Sequence, residues 1–215
     1  MMKIDEKLAQ GRQFRSMRMG VVEGGEYRVE GYATVFNEPY LLYKYDDVEV
    51  WERVSERAFE GTDMSDVIMQ YDHEGRVFAR LSNNTLELTV DDKGLLINAY
   101  LGGTAQGRGL YEDIEGGYIT KMSFGFTVDE DEIEEVSSDE GVKITRTITK
   151  IGKLYDVSAV SIPANDATEI SARNYCDGVI AELETERMNR AQEKRNRQIE
   201  RLRLELELEL ELGGF

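Results

Sequence analysis

A serine, a histidine and an aspartate in this chain are of the types that carry out nucleophilic hydrolysis: Ser123, His73 and Asp156. A serine hydroxyl becomes a good nucleophile when a neighbouring base takes its proton, and that base works best when an acid fixes its tautomer. The chain contains one histidine, so His73 is the single candidate imidazole. The three residues therefore predict a hydrolytic site if the fold brings them together.

Each of the three residues also has a structural interpretation. Ser123 lies in an aromatic run, where a half-buried hydroxyl is common, and His73 fits an ordinary structural histidine. Asp156 is flanked by the apolar residues Leu154 and Val157, and an acid in an apolar strand needs a partner when it is buried. A histidine would be such a partner. The pattern alone leaves the catalytic and the structural interpretations open.

Short runs of β-branched and aromatic residues, separated by turn signals, predict a largely antiparallel sheet or barrel. The predicted strands cover 28–36, 47–54, 67–71, 85–90, 95–101, 123–128, 142–148 and 154–162. One helix is predicted over 104–117, with Thr104 at its start and two glycines at its end. Strand alternation puts Met122, Phe124 and Phe126 on one face, and Ser123 with Gly125 on the other.

Composition predicts one domain with extensions, since the chain has 215 residues of which 40% are hydrophobic. We expect a flexible N-terminal arm over 1–26, a folded domain over 27–173, and a charged helical or disordered tail over 174–215. The tail contains two Glu–Arg pairs four residues apart, Glu186 with Arg190 and Glu193 with Arg197, which favour a helix. Its last part, 204–212, alternates Leu and Glu, a pattern that suits a strand although both residues are helix formers.

Charge and composition also exclude classes of function. The net charge is -17, and eight acids without a base fall in 129–140, which we expect to be a solvated hairpin loop. This balance argues against a nucleic-acid partner. No apolar run predicts a membrane span or a signal peptide. A single cysteine, Cys176, allows no intramolecular disulfide, and with no metal-ligand cluster or phosphate loop we expect no cofactor.

Five segments occur in an order that resembles the prohead maturation proteases of tailed phages, relatives in fold of the herpesvirus assemblins. The resemblance covers about 28–173. The segments are Glu30–Asn37, His73 followed by Ala79-Arg80, Gly107–Tyr111, Met122–Phe126 and Leu154–Asn165.

The resemblance implies an α+β, β-rich fold: an assemblin-like, mostly antiparallel β-barrel with peripheral helices. It also implies a serine endopeptidase in the host cytoplasm, inside the assembling prohead, that cuts scaffold or the scaffolding arm of the major capsid protein, and also itself. By position, Ser123 would be the nucleophile, His73 the general base and Asp156 the residue that orients His73. Arg80 would contribute to the oxyanion or substrate site. A homodimer is a further implication.

Three departures and two alternatives accompany the resemblance. Assemblins have a second histidine in the third position, whereas this chain has none. The residues before His73 are Tyr71-Asp72, where Trp or Tyr followed by Asn is more familiar, and the acidic hairpin over 129–140 lengthens the gap before Asp156. One alternative function is a noncatalytic scaffold or assembly module that retains the protease fold. The other is a small β-rich hydrolase that acts on nonpeptide esters.

Overall fold

A ten-stranded mixed sheet dominates the computed structural model, which describes residues 13–138, 141–161 and 170–212. The chain divides into two units, Met1–Asn174 and Tyr175–Phe215. The strands are β1 Gln13–Val21, β2 Arg28–Val35, β3 Tyr40–Tyr45, β4 Val48–Val54, β5 Ile68–Tyr71, β6 Glu74–Arg80, β7 Leu86–Val90, β8 Gly94–Tyr100, β9 Lys121–Ser138 and β10 Gly141–Val160. The helices are α1 Ala105–Glu115 and α2 Ile170–Leu212.

The sheet is open, and its strands are not all antiparallel. Its order is β3-β4-β10-β9-β1-β2-β8-β7, with β5 paired to β10 and β6 paired to β5. Strand β10 pairs in parallel with β4 and with β5. The β-rich α+β class is confirmed, but the closed, mostly antiparallel barrel is not found, because the terminal strands β3 and β7 of this path do not pair with each other. An isolated bridge joins Phe36 to Val54 without closing the path.

The two longest strands, β9 and β10, form the centre of the sheet. They run antiparallel, and β10 uses its other edge to bind β4 over 142–148 and β5 over 156–159. Strand β9 binds β1 over 121–126. Strands β1, β4 and β5 are therefore positioned by direct pairing with β9 or β10.

One face of β9 and β10 packs into the main hydrophobic core. The members on these two strands are Met122, Phe124, Phe126, Val128, Ile148, Ile151, Leu154, Val157 and Ala159. The rings of Phe124 and Phe126 stack with centroids 4.5 Å apart. Met122, Phe124 and Phe126 all belong to this cluster, in agreement with the predicted alternation in Met122–Phe126.

Two segments differ from the sequence expectations. Residues 13–21 of the expected N-terminal arm form β1 between β9 and β2, because Gln13, Arg15 and Met19 alternate as buried side chains along it. Residues 1–12 lie outside the described residues. Residues 129–138 of the acidic run, expected to be a loop, continue β9, because their backbone pairs with β10 while most of the acids stay exposed.

A buried ion network, with a tyrosine bound to it, joins β1, β3, β4, β9 and β10. The carboxylate of Glu52 is fully buried and accepts two hydrogen bonds from Arg15, at 2.5 and 2.7 Å, and one from Arg146 at 3.0 Å. Arg146 also donates to Asp131 at 2.5 Å, and Tyr40 donates to Glu52. Burial by itself would raise the pKa of Glu52, but the two guanidinium groups outweigh it and lower this pKa to about 2. Glu52 therefore stays ionised in the folded protein at neutral pH.

Both helices lie where the sequence predicts helical structure. Helix α1 begins after Thr104, whose side chain accepts a hydrogen bond from the Gly107 backbone. Helix α2 includes the Leu–Glu alternation over 204–212, as the intrinsic helix preference of Leu and Glu favours. The predicted pairs form on α2, with Arg190 3.1 Å from Glu186 and Arg197 3.7 Å from Glu193. Neither helix, over its described residues, is long and apolar enough to cross a bilayer.

Candidate active site

His73 lies in the two-residue turn between β5 and β6. Tyr71 pairs with Glu74 across the hairpin, and the residues between them, Asp72 and His73, have positive φ angles of 47° and 59°. Two consecutive left-handed residues define the type I′ turn, whose twist matches that of the flanking strands. The sequence folds this way locally because Asp and His tolerate the left-handed region better than β-branched residues do. The turn presents the imidazole at the end of the hairpin, next to β10.

The carboxylate of Asp156 holds one nitrogen of that imidazole. His73 Nδ1 is 2.5 Å from Asp156 Oδ2, and the exposed fraction of the Asp156 side chain is 0% against 17% for His73. Ser158 donates a second hydrogen bond to the same oxygen at 2.8 Å. The pair is thus shielded on the aspartate side and open to solvent in part on the histidine side. This contact leaves Nε2 as the ring nitrogen that does not face Asp156.

A bulge in β10 turns Asp156 away from the hydrophobic core. The register shifts between Leu154, which is opposite Phe126, and Asp156, which is opposite Gly125, so Tyr155 is an extra residue in the ladder. Leu154 is in the core and so is Val157, which places Asp156 on the other face. In regular alternation Asp156 would share the face of Leu154. Bulges commonly re-aim a side chain in this way beside functional sites.

Ser123 lies on the same face of the sheet as Asp156. Its direct partner across the β9–β10 ladder is Ser158, and Asp156 is opposite the neighbouring Gly125. Ser123 is 2% exposed, and within the described part of the chain its hydroxyl has no hydrogen-bond partner. Opposite residues in an antiparallel pair have Cβ atoms about 5 Å apart, so Ser123 is a close neighbour of the serine that contacts Asp156.

Arg80 lies at the end of β6 and contacts a carboxylate. Its guanidinium donates to Asp66 through two nitrogens, each at 2.9 Å, and about half of each side chain is exposed. Its predicted contribution to an oxyanion or substrate site stays a prediction.

Two residues with contacts at this site were not assigned a role from the sequence. Ser158 donates to Asp156, and Asp72 accepts hydrogen bonds from the backbone and side chain of Ser161. The two-residue spacing from Asp156 to Ser158 would have indicated a shared face. The Asp72–Ser161 contact joins residues 89 apart in sequence, so no local pattern contains it.

The described residues contain no group of three or more His, Cys, Asp or Glu side chains that could hold a metal ion. The arrangement that is present is a buried carboxylate, an imidazole bound to it, and a serine on the adjacent strand. This is the set of groups that acyl transfer through a serine nucleophile requires.

Comparison with known proteins identifies the family. Residues 15–179 match the family described as Caudovirus prohead serine protease. No curated protein and no solved structure matches the chain. The family match covers well over half of the 215 residues and includes Ser123, His73 and Asp156. The chain therefore belongs to the Caudovirus prohead serine protease family, the serine proteases of capsid maturation in tailed phages.

Proposed function

We propose that Ser123, His73 and Asp156 form the catalytic triad of a prohead endopeptidase. In this proposal the enzyme cleaves scaffold, or the scaffolding arm of the major capsid protein, inside the assembling prohead, and also cleaves itself. Self-association to a homodimer is part of the same proposal, and analytical ultracentrifugation of the full chain tests it.

The observation that carries the proposal is the contact between the one histidine and a buried aspartate. His73 Nδ1 lies 2.5 Å from Asp156 Oδ2. Such a contact selects the tautomer in which Nδ1 carries the proton, so Nε2 is the basic nitrogen. The ladder position of Ser123, one strand away on the same face, supports its assignment as the nucleophile.

Acylation begins when Ser123 Oγ attacks the scissile carbonyl carbon. As the O–C bond forms, His73 Nε2 takes the hydroxyl proton and Asp156 stabilises the resulting imidazolium. The tetrahedral intermediate collapses, the C–N bond breaks, and His73 delivers the proton to the leaving amine. The products of this half are the free amine fragment and an ester on Ser123.

Deacylation runs the same proton transfers with water. His73 takes a proton from water as the oxygen attacks the ester carbon, and returns that proton to Ser123 Oγ as the O–C bond breaks. The acid fragment leaves, and serine and neutral imidazole are restored. Backbone N–H groups near Ser123, or Arg80, supply the oxyanion contact in this proposal.

Three variants of the full chain test the triad: Ser123→Ala, His73→Asn and Asp156→Asn. Asparagine is used at position 73 because it tolerates the left-handed backbone there. Each is co-expressed with the capsid protein and its scaffold, and each is exposed to a fluorophosphonate, which labels activated serines. We expect Ser123→Ala to abolish both labelling and cleavage. We expect Asp156→Asn to slow both by about 10⁴-fold, and His73→Asn to slow both by about 10⁶-fold because it removes the base itself.

Ser137→Ala is the matched control, since Ser137 is an exposed serine on the same strand β9. It should label and cleave as the wild type does. Unchanged cleavage by Ser123→Ala would contradict the proposed nucleophile. A wild-type chain that neither labels nor cleaves would indicate the noncatalytic assembly module. Labelling with ester hydrolysis but without peptide cleavage would indicate the esterase.

A further inference from the structure

The backbone that carries His73 is in a conformation that residues other than glycine adopt at a cost. His73 has φ 59° and its neighbour Asp72 has φ 47°. Left-handed residues other than glycine cost about 1–2 kcal/mol each, and they persist where surrounding contacts hold them. The turn therefore needs a contact that favours it over the alternatives available to an exposed hairpin end.

Asp72 makes three hydrogen bonds to the end of β10 and to Ser161, the residue directly after it. Its backbone N–H donates to the Ala159 carbonyl at 2.9 Å, which extends the β5–β10 ladder by one bond. One carboxylate oxygen accepts the Ser161 backbone N–H at 2.8 Å, and the other accepts the Ser161 hydroxyl at 2.7 Å. Hydrogen bonds to an ionised carboxylate are stronger than bonds between neutral groups. We call these three bonds the Asp72 clamp.

The clamp fixes the base relative to the acid, because both of its anchors belong to the segment that carries Asp156. Ala159 and Ser161 follow Asp156 by three and five residues along the same chain direction. His73 is the next residue after Asp72, and its ring contacts Asp156. A hairpin end held at Ser161 thus cannot move away from Asp156 without breaking the clamp.

We propose that Asp72 is a positioning residue whose carboxylate, bound to Ser161, holds the His73 imidazole against Asp156. The expected effect of Asp72 on activity rests on the triad proposed above. Its effect on the position of the imidazole does not depend on whether Ser123 is the nucleophile.

Variants with glycine or asparagine at position 72 distinguish the contribution of the carboxylate from that of the backbone conformation. Asp72→Gly removes the side chain but accepts the positive φ, so the turn itself is retained. Asp72→Asn keeps an acceptor for the Ser161 N–H and can donate to the Ser161 hydroxyl. Ser161→Ala removes the hydroxyl and leaves the N–H bond. The four proteins are compared by the rate at which a fluorophosphonate labels Ser123, measured by intact mass.

We expect Asp72→Gly to slow labelling about 10- to 100-fold, because misplacement of a catalytic group by about 1 Å costs this much. Asp72→Asn should stay within about threefold of the wild type, and Ser161→Ala should fall between the two, in line with the number of bonds each retains. Equal rates for Asp72→Gly and the wild type would overturn the proposal, as would an Asp72→Asn variant as slow as Asp72→Gly.

The single histidine gives a second readout that needs no activity. In protein labelled with ¹⁵N-histidine, the ring nitrogen shifts belong to His73 alone and report its tautomer. We expect one tautomer, protonated at Nδ1, in the wild type and in Asp72→Asn, and a tautomer mixture in Asp72→Gly. The same spectrum in Asp72→Gly and in the wild type would contradict the claim that Asp72 positions the imidazole of His73. If the wild type is not labelled by the fluorophosphonate, the triad proposal fails while this spectrum still decides on the clamp.

Asp91→Gly is the matched control for loss of a turn aspartate. Asp91 accepts hydrogen bonds from the Lys93 and Gly94 backbone, at 2.8 and 2.9 Å, in the β7–β8 hairpin. Its removal should lower thermal stability without changing either the labelling rate or the His73 spectrum. A loss of labelling in Asp91→Gly equal to that in Asp72→Gly would assign the effect to stability and overturn the positioning role.

Discussion

The Asp156 Oδ2 atom is shared by the imidazole of His73 and the hydroxyl of Ser158. A carboxylate oxygen has room for two donors, and this oxygen belongs to a side chain that is fully buried. Ser158 therefore limits the rotation of the Asp156 carboxylate and so the direction in which it holds His73. We therefore expect Ser158 to act as a positioning residue for the proposed triad.

Replacing Ser158 with alanine tests this role, because it removes the hydrogen bond from Ser158 to Asp156. A hydrogen bond to a charged group is worth about 1.5–3 kcal/mol. Removal of this bond should leave the Asp156 carboxylate, and therefore the His73 ring, less well oriented. We expect fluorophosphonate labelling of Ser158→Ala to slow about 3- to 30-fold, with Ser123 still the labelled residue. The measurement is the pseudo-first-order labelling rate by intact mass.

The chain offers a control with the same Asp-to-Ser spacing outside the site. Ser65 donates to Asp63, two residues before it, at 2.7 Å, and this pair is exposed. Ser65→Ala should label at the wild-type rate. If Ser158→Ala also labels at that rate, Ser158 is a structural contact only.

At the scale of elements, β2 packs closely against β1 and against a side chain of β9. A Cβ atom added at Gly31 on β2 would lie 2.6 Å from the Arg18 carbonyl oxygen and 3.1 Å from the Met122 sulfur. The first of these is a backbone atom on β1, and the second belongs to the residue before Ser123. Gly31 is thus required where three strands of the sheet pack against each other.

Gly31→Ala should destabilise the fold by about 1–3 kcal/mol, as overpacking of a tight contact does. Urea unfolding followed by circular dichroism measures the change. Gly20→Ala is the control, because Gly20 lies on the adjacent strand β1 and an added Cβ there would meet no atom within 4 Å. Equal midpoints for the two variants would contradict the close β1–β2 packing.

At the scale of the whole molecule, the ion network around Glu52 makes stability depend on pH. The pKa of Glu52 is about 2 in the folded chain, against an ordinary value of 4.5. The unfolded chain therefore takes up this proton at a higher pH than the folded chain. The contribution of Glu52 is fully present above about pH 4.5 and is lost as the pH falls toward 2.

The expected size is about 2 kcal/mol of unfolding free energy lost between pH 7 and pH 3 through this group. Urea unfolding of the wild type and of Glu52→Gln between pH 7 and pH 3 isolates the contribution of Glu52. The difference in unfolding free energy between the two proteins should decrease by about 2 kcal/mol over this range. Glu56→Gln makes the same substitution at an exposed glutamate just after β4, and it controls for the exchange of Glu for Gln itself. A gap for Glu52→Gln that stays constant from pH 7 to pH 3 would contradict the low pKa.

Local patterns predicted much of the fold because they act through neighbours in sequence. The alternation in Met122–Phe126 follows from the two-residue period of a strand, and α1 follows from the capping residue Thr104. The missed strand β1 shows the limit of this reasoning. The charge of Arg15 predicts a surface residue, but Arg15 is buried because it pairs with the carboxylate of Glu52, 37 positions away.

The candidate chemistry can be derived from the sequence alone: one histidine, a serine in an aromatic strand, an aspartate among apolar residues, and an order of segments that resembles a family. Which of these groups come into contact depends on the fold. Asp156 would share the core face with Leu154 by regular alternation, and the bulge at Tyr155 turns it to the face of Ser123. Likewise, the contacts of His73 with Asp156 and of Asp72 with Ser161 join residues more than 80 positions apart. Their physical basis is strand pairing and side-chain packing at long range, which no window of local sequence contains.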